Sequence, residues 1–493
     1  MQGRKTQSFR LTDASVFFTP KNRLLNNAQS SDSIHFSINE PFKDNSAWVT
    51  ILIGRNGIGK SRFLASIAET FSQLAEPIKT NSKSKAEVIL KYSTADATID
   101  VRALNGKFKI LVNGTAIQDV HKVPLPSKVI ALTTTPFDKF RISNWKRDSI
   151  FGAASNCYEY LGLRDRSGRA SAIAPLLRAI EGLFNLSNGR ISRLDRVAAV
   201  FNFLGFKPEI EVVYRANHKQ IEELAVKSHQ IVTRAFGTDV SMNIRQDLDY
   251  SALQSAAKLF LSSGSNHNQI SIRADFNTHL NDGNIYHQLE PLRKSRIITP
   301  IGVIVTRQDG LKVDLQSASS GEMSLVTAFL GLASVIEDGS LILIDEPEVS
   351  LHPEWQSGYI DLLLNTFSDY KNCHFIIATH SPLIVADIDA KTSNVVVMER
   401  NFSSDIESTD ISGKSSDHIL ATAFQTPGRN NLYLKQEIIK ALRLAANGEV
   451  KSEEFRSTVG WLVSLLPKLE DETSISQVIL NLKEVATDAE VSK

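Results

Sequence analysis

One octapeptide, Gly54-Arg55-Asn56-Gly57-Ile58-Gly59-Lys60-Ser61, constrains the fold of this chain most. It fills the pattern G-x-x-x-x-G-K-[ST] at every specified position, and its flanks supply the context that pattern needs. Before it, Trp48 to Ile53 (WVTILI) is a short apolar run rich in β-branched residues, as expected of a buried strand. After it, SRFLASIAETFSQLA repeats apolar residues at helical spacing. Strand, glycine loop and helix in that order make an anion site. Glycines let backbone N–H groups turn inward, and the helix points its positive end at the same place. The ligand implied is a nucleoside triphosphate such as ATP, with Lys60 reaching the β- and γ-phosphates and the Ser61 hydroxyl binding Mg²⁺. Gly54, Asn56, Gly57, Gly59, Lys60, Ser61 and Arg62 are the expected nucleotide contacts.

A second apolar run, Leu341-Ile342-Leu343-Ile344, ends in Asp345-Glu346-Pro347. Alone, it is a strand followed by an acidic turn. Beside a phosphate loop it gains a role: Asp345 reaches the sheet edge, where it can hold Mg²⁺ directly or through water. Glu346 then stands where an attacking water can be oriented or deprotonated. His380 directly follows a third buried run, His374 to Ala378 (HFIIA), and is expected to contact the γ-phosphate and that water. Glu346 and His380 are therefore the candidate catalytic residues, and Ser61 and Asp345 the candidate metal ligands.

Between and beyond these motifs, strands alternate with helices, the pattern of a mostly parallel α/β sheet. Glu87 to Val112 alternates as antiparallel strands do, and Lys128 to Leu132 (KVIAL) reads as another buried strand. Residues 150–260 read as mostly helical, 268–315 as short strands, and the stretch near 403–416 as a loop. From Leu432 onward, three segments carry apolar residues at helical spacing. Four stretches follow: an N-terminal lobe with the phosphate loop over 1–149, a mainly helical insert over 150–296, a second lobe over 297–400 and a helical tail over 401–493.

Net charge is +1, so no global field favours nucleic acid, although Lys139 to Arg196 holds eleven Lys or Arg against five Asp or Glu. Arg164, Arg166 and Arg169 fall within six residues there, and nucleic acid is a candidate partner of that cluster. The simpler reading of the cluster is a solvated face with local ion pairs to Asp165 and Asp148. The two cysteines, Cys157 and Cys373, lack metal-ligand spacing and imply no disulfide framework. With no apolar run of about 20 residues and no signal-like N-terminus, a cytoplasmic protein without membrane contact is expected.

Taken together, these residues resemble the ABC-ATPase superfamily. The loop at 54–61 looks like its Walker A, and LILIDEP at 341–347 like its Walker B with the catalytic glutamate present. Val349-Ser350-Leu351-His352 stands at the D-loop position and His380 at the switch-histidine position. Ser319-Ser320-Gly321-Glu322-Met323 precedes the second strand, where the family has its LSGGQ signature. Ser320 and Gly321 match it; Glu322 and Met323 depart from it, as in the OLD, RecF and Rad50-like branch. The resemblance implies an α/β ABC-ATPase head with a mixed sheet, an inserted helical domain and C-terminal helices. It also implies that Ser320, Gly321 and Glu322 bind the γ-phosphate of ATP held by a second copy, in a head-to-tail dimer. The loop Thr133 to Phe140 stands where the family has its Q-loop, yet contains no glutamine.

The insert is too short and interrupted for a long coiled coil, and the 113 residues after His380 show no strand-terminal acids of a fused nuclease. The chain thus resembles the stand-alone ATPase subunits of bacterial anti-phage systems such as Septu and PARIS, which work with a separately encoded nuclease. A DNA-repair or recombination ATPase that clamps DNA is the alternative. A third reading is a module that holds ATP without turnover, against which the presence of Glu346 argues. The acidic tail, with nine acidic and five basic residues from Glu449 to Lys493, reads either as helices packed on the ATPase core or on one another, or as a docking module for a second subunit.

Overall fold

The computed structural model describes residues 5–6, 8–18, 32–37, 46–75, 86–142, 157–164, 169, 171, 173–184, 191–216, 218–226, 250–263, 268–277, 282–389, 391–399, 402–406, 410–428, 430–469 and 473–491. Two compact units emerge. The first comprises 1–160, 337–364 and 368–493; the second comprises 161–336 and 365–367. This division runs differently from the four stretches expected above, because Ser320 and its helix fall in the second unit, with the insert.

At the centre of the first unit is a seven-stranded sheet. Its order is Tyr158–Leu161, Val129–Thr133, Leu341–Asp345, His374–Ala378, Trp48–Gly54, Ser393–Glu399, Phe402–Ile406. From Val129–Thr133 to Ser393–Glu399 neighbouring strands are parallel; Phe402–Ile406 closes the edge antiparallel, within the stretch expected as a loop. The central strands are buried along their whole length, which is why apolar residues dominate both of their faces rather than alternating with polar ones. The helix Lys60–Ala75 packs Phe63, Leu64, Ile67, Phe71 and Leu74 into the core.

A six-stranded antiparallel sheet, ordered Asp32–Ser37, Arg10–Phe18, Ala86–Ser93, Thr98–Leu104, Lys107–Val112, Thr115–Ile117, shares that core. A buried polar network ties it to the parallel sheet. His374 Nδ1 accepts the Leu11 N–H at 3.2 Å, so the ring proton lies on Nε2, 3.0 Å from Thr50 Oγ1. The Thr50 hydroxyl donates to Asn394 Oδ1 at 2.7 Å, and Trp48 Nε1 donates to the same oxygen at 3.0 Å.

The second unit holds a four-stranded antiparallel sheet, Gln269–Asp275, Phe206–Ala216, Ile298–Arg307 and Lys312–Asp314. The strand Phe206–Ala216 interrupts the stretch expected as helical. Ile210, Val212, Tyr214 and Ala216 alternate into its core, a period of two inside a segment flanked by helices. The helix Ile173–Phe184 crosses Ser320–Val335 at Gly182, where a Cβ would stand 2.6 Å from Ser334 Cβ. In the tail, Leu432–Ala446, Glu453–Leu465 and Thr473–Val491 share their own core around Leu434, Phe455, Leu462 and Ile479. Asp417 and Asn431 anchor it: Leu432 N–H donates to Asp417 Oδ2 and the Asn431 amide to the Asp417 carbonyl. Among the described residues, no helix is long and apolar enough to cross a membrane.

Two outcomes test this packing. Gly182→Ala gains about 1 kcal/mol of helix propensity, but Ser334 Cβ cannot rotate away, and overpacking costs about 1–3 kcal/mol. A net loss in denaturant midpoint is expected, recovered when Ser334→Gly is added. His374, held below its ordinary pKa of 6.5 by burial and then by the nearby Arg10, resists protonation when folded. The unfolded chain then binds more protons below pH 6.5, so this contribution to stability is present above that pH and lost as pH falls. His374→Gln is expected to lose less urea stability than the wild type between about pH 7.5 and about pH 5.5.

Candidate functional site

The register of the parallel strands sets the site. Thr133 lies opposite Asp345, Asp345 opposite Ala378, and Ala378 opposite Leu52. Three strand ends therefore stand in one row with Leu52, two residues before the end of Trp48–Gly54, and the residues that follow these strands meet there, as at the carboxyl edge of open α/β sheets generally. Glu346 N–H donates to the Ala378 carbonyl at 2.9 Å and Thr379 N–H to the Leu52 carbonyl at 3.1 Å, extending the ladder into the loops.

Gly57 (φ 79°) and Gly59 (φ 106°) adopt left-handed backbone in the phosphate loop, and a Cβ on Gly54 would meet the Met398 carbonyl at 2.6 Å. Arg55, Asn56, Gly57 and Arg62 are exposed, whereas Lys60 is 4% exposed. Lys60 Nζ donates to the Gly54 carbonyl at 2.9 Å and stands 2.8 Å from His380 Nε2. Ser61 Oγ donates to Asp345 Oδ1 at 3.0 Å. The structure thus brings together residues from three strand ends, up to 320 positions apart. The Arg62 guanidinium lies over the Phe18 ring, 3.9 Å from its centroid.

The electrostatics follow from burial. Lys60 is lowered to about 8 by desolvation, against the opposing pull of Glu346, Glu348 and Asp345. Burial raises Asp345 to about 7; the Ser61 hydrogen bond opposes this, while Glu346 and Asp138 add to it. Burial, then Lys60, lowers His380 to about 4, so its imidazole is neutral near pH 7. Asp345 Oδ2 is buried without a hydrogen-bond partner. Such an oxygen, beside a hydroxyl and an open phosphate cradle, fits Mg²⁺, which takes one or two protein oxygens and completes its shell with phosphate and water. Among the described residues there is no cluster of three His, Cys, Asp or Glu able to hold a metal by itself.

Glu346 has φ 49°, a left-handed conformation that costs an ordinary residue about 1–3 kcal/mol. Its carbonyl is held by the Thr134 hydroxyl at 3.0 Å and the Val349 N–H at 3.2 Å. The loop after Val129–Thr133 is shaped by side chains: Thr133 Oγ1 accepts the Thr135 N–H, Thr135 Oγ1 the Phe137 N–H, and Asp138 Oδ1 the Phe140 N–H. In this loop Asp138 is buried and accepts the Tyr160 hydroxyl, and Phe137 is 82% exposed.

Ser319 caps the helix Ser320–Val335. Its hydroxyl accepts the Glu322 N–H at 3.2 Å, and Glu322 Oε2 accepts the Ser319 N–H at 2.9 Å. This capping box leaves Ser320 and Gly321 in the first turn, whose N–H groups have no intrahelical acceptor. Glu322 Oε2 is engaged in this cap, and its other oxygen stands 4.0 Å from the Arg307 guanidinium. Of the basic cluster, Arg166 and its neighbour Asp165 lie outside the described residues, as does Asp148. Sequence reasoning missed Glu348, whose Oε1 accepts the His380 N–H at 2.5 Å. Its place three residues beyond Asp345 was the available signal.

Comparison with known proteins adds four findings. A family model, AAA_21, described as "AAA domain, putative AbiEii toxin, Type IV TA system", matches residues 133–386, which include Ser320, Asp345, Glu346 and His380. The "Retron Vc95 probable ATPase" of Vibrio cholerae serotype O1 biovar El Tor is 21% identical over 383 residues, 70% of this chain and 68% of that protein. The "Retron Ec83 probable ATPase" of Escherichia coli is 29% identical over 103 residues, 19% of this chain and 18% of that protein. Among solved structures, the SMC head domain from Thermotoga maritima aligns over 81% of this chain and 98% of that one, at 13% identity and a TM-score of 0.32.

Two substitutions separate binding from chemistry at the row of strand ends. Lys60→Ala should lower ATP turnover by about 100-fold or more, through loss of the charge at the phosphates. Glu346→Gln should lower kcat by about 100-fold or more while ATP still binds, because the cradle is intact. Hydrolysis at the normal rate in Glu346→Gln would show that another group activates the water.

Proposed function

Because the chain belongs to the AAA_21 family and is an ATP hydrolase, we propose that hydrolysis runs at the row formed by Lys60, Ser61, Asp345, Glu346 and His380. The observation that carries this reading is the meeting of Lys60 with His380 and of Ser61 with Asp345 at adjacent parallel strand ends. Loop N–H groups and Lys60 hold the β- and γ-phosphates. Ser61 and Asp345 hold Mg²⁺, which when bound neutralises charge developing on the phosphates. Glu346 accepts a proton from the attacking water, and neutral His380 contacts the γ-phosphate beside Lys60. Asn56 and Arg62 border the cradle.

The site needs a second copy. Ser320 and Gly321 present helix N-terminal N–H groups to the γ-phosphate of ATP held by another chain, and Glu322 fixes that helix start through its cap. Two ATP molecules then join two copies head to tail, and hydrolysis loosens them. The retron names of the relatives support placing this cycle in anti-phage defence. We propose that the nucleotide-controlled dimer there governs a separately encoded nuclease.

Shared sites have a direct signature. Lys60→Ala and Ser320→Arg chains, each inactive alone, form mixed dimers with one site damaged twice and one intact. Recovery of about half the wild-type activity in the mixed dimer is expected. Mixed dimers that form, verified by mass, yet stay inactive would refute shared sites.

A further inference from the structure

We infer that Glu348 is a positioning residue for this hydrolysis: by holding the His380 backbone N–H, it sets where the imidazole stands against Lys60. The geometry is local to one sheet edge. Glu348 Oε1 accepts the His380 N–H at 2.5 Å, joining the turn after Leu341–Asp345 to the loop after His374–Ala378. The residues on either side of His380 are pinned as well. Thr379 N–H donates to the Leu52 carbonyl at 3.1 Å. Ser381 Oγ donates to Gln356 Oε1 at 2.6 Å, and Gln356 Nε2 donates to the Leu351 carbonyl at 3.0 Å. Ser381 Oγ also accepts the N–H groups of Leu383 and Ile384, starting the helix Pro382–Ala386.

His380 is thus the middle residue of a tripeptide anchored at all three positions, and Glu348 supplies its own anchor. With the backbone fixed, the ring keeps Nε2 2.8 Å and Nδ1 3.4 Å from Lys60 Nζ. Without Glu348, the central N–H loses its acceptor and the ring its fixed origin. A shift of about 1 Å in a reacting group is enough to cost about 100-fold in rate. Glu348 lies among the carboxylates around Lys60, so its charge and its acceptor oxygen have to be told apart. The amide of Glu348→Gln keeps an acceptor oxygen and removes the charge, whereas Glu348→Ala removes both.

The inference rests on the reading that His380 acts on the γ-phosphate, and the test separates the two. Steady-state kcat and KM for ATP, and equilibrium binding of a fluorescent ATP analogue, are measured for Glu348→Ala, Glu348→Gln, His380→Ala and the Glu348→Ala/His380→Ala double variant. Glu348→Ala should lose about 10- to 100-fold in kcat with KM and binding within about threefold of wild type. Glu348→Gln should stay within about threefold of wild-type kcat. The double variant should be no slower than His380→Ala, because Glu348 acts through that residue. A slow His380→Ala beside a full-rate Glu348→Ala overturns the positioning role alone, as do additive losses in the double variant or lost ATP binding in Glu348→Ala. A full-rate His380→Ala overturns the site reading and this inference together.

Discussion

The in-register pairing of four parallel strands is the constraint on which the candidate site depends. Thr133, Asp345, Ala378 and Leu52 align across the sheet, so that segments far apart in sequence end at one edge. A slip of one residue in any strand would turn its apolar faces over and move its terminal group off the row. Burial on both faces resists such a slip, as does the buried hydrogen bonding of Thr50, His374 and Asn394 across the sheet, and the strands before Gly54, Asp345 and His380 are accordingly dominated by apolar residues. The stability of the sheet and the placement of the functional groups therefore share one cause.

Much of this was legible in the sequence because the site is made of strand ends. An apolar run followed by GRNGIGKS, by Asp-Glu-Pro or by Thr-His-Ser announces both the strand and the group it carries. Burial and charge then follow from position. Lys60 is desolvated yet surrounded by carboxylates, and Asp345 retains a buried oxygen with no protein donor, a local excess of negative charge that a divalent cation would offset. The helix Ser320–Val335 opens on the capping box of Ser319 and Glu322, and whether such a carboxylate faces a ligand or closes the box depends on a rotamer that the sequence does not set.

What the sequence hid lies in interactions between distant or weakly patterned segments. Glu348 stands in an acidic turn, and its bond to the His380 N–H spans 32 positions and follows no periodicity. The strand Phe206–Ala216 carries its alternation behind a proline and between helices, where the helical period dominates a long window. The loop from Thr133 to Phe140 keeps the place of a Q-loop but is built from threonine and aspartate turns, which short side-chain-to-backbone hydrogen bonds make and composition alone does not reveal.

The central claim is that this row of strand ends is the nucleotide site, completed by the signature of a second copy. An experimental structure of Glu346→Gln with ATP and Mg²⁺ tests it most directly, because the substitution keeps the cradle and holds the nucleotide intact. The account predicts a γ-phosphate within hydrogen-bonding distance of Lys60 Nζ, a cation between Ser61 and Asp345, and Ser320 of another chain against the same phosphate. ATP bound away from Lys60, or at Lys60 with no second chain's Ser320 on its γ-phosphate, would contradict it.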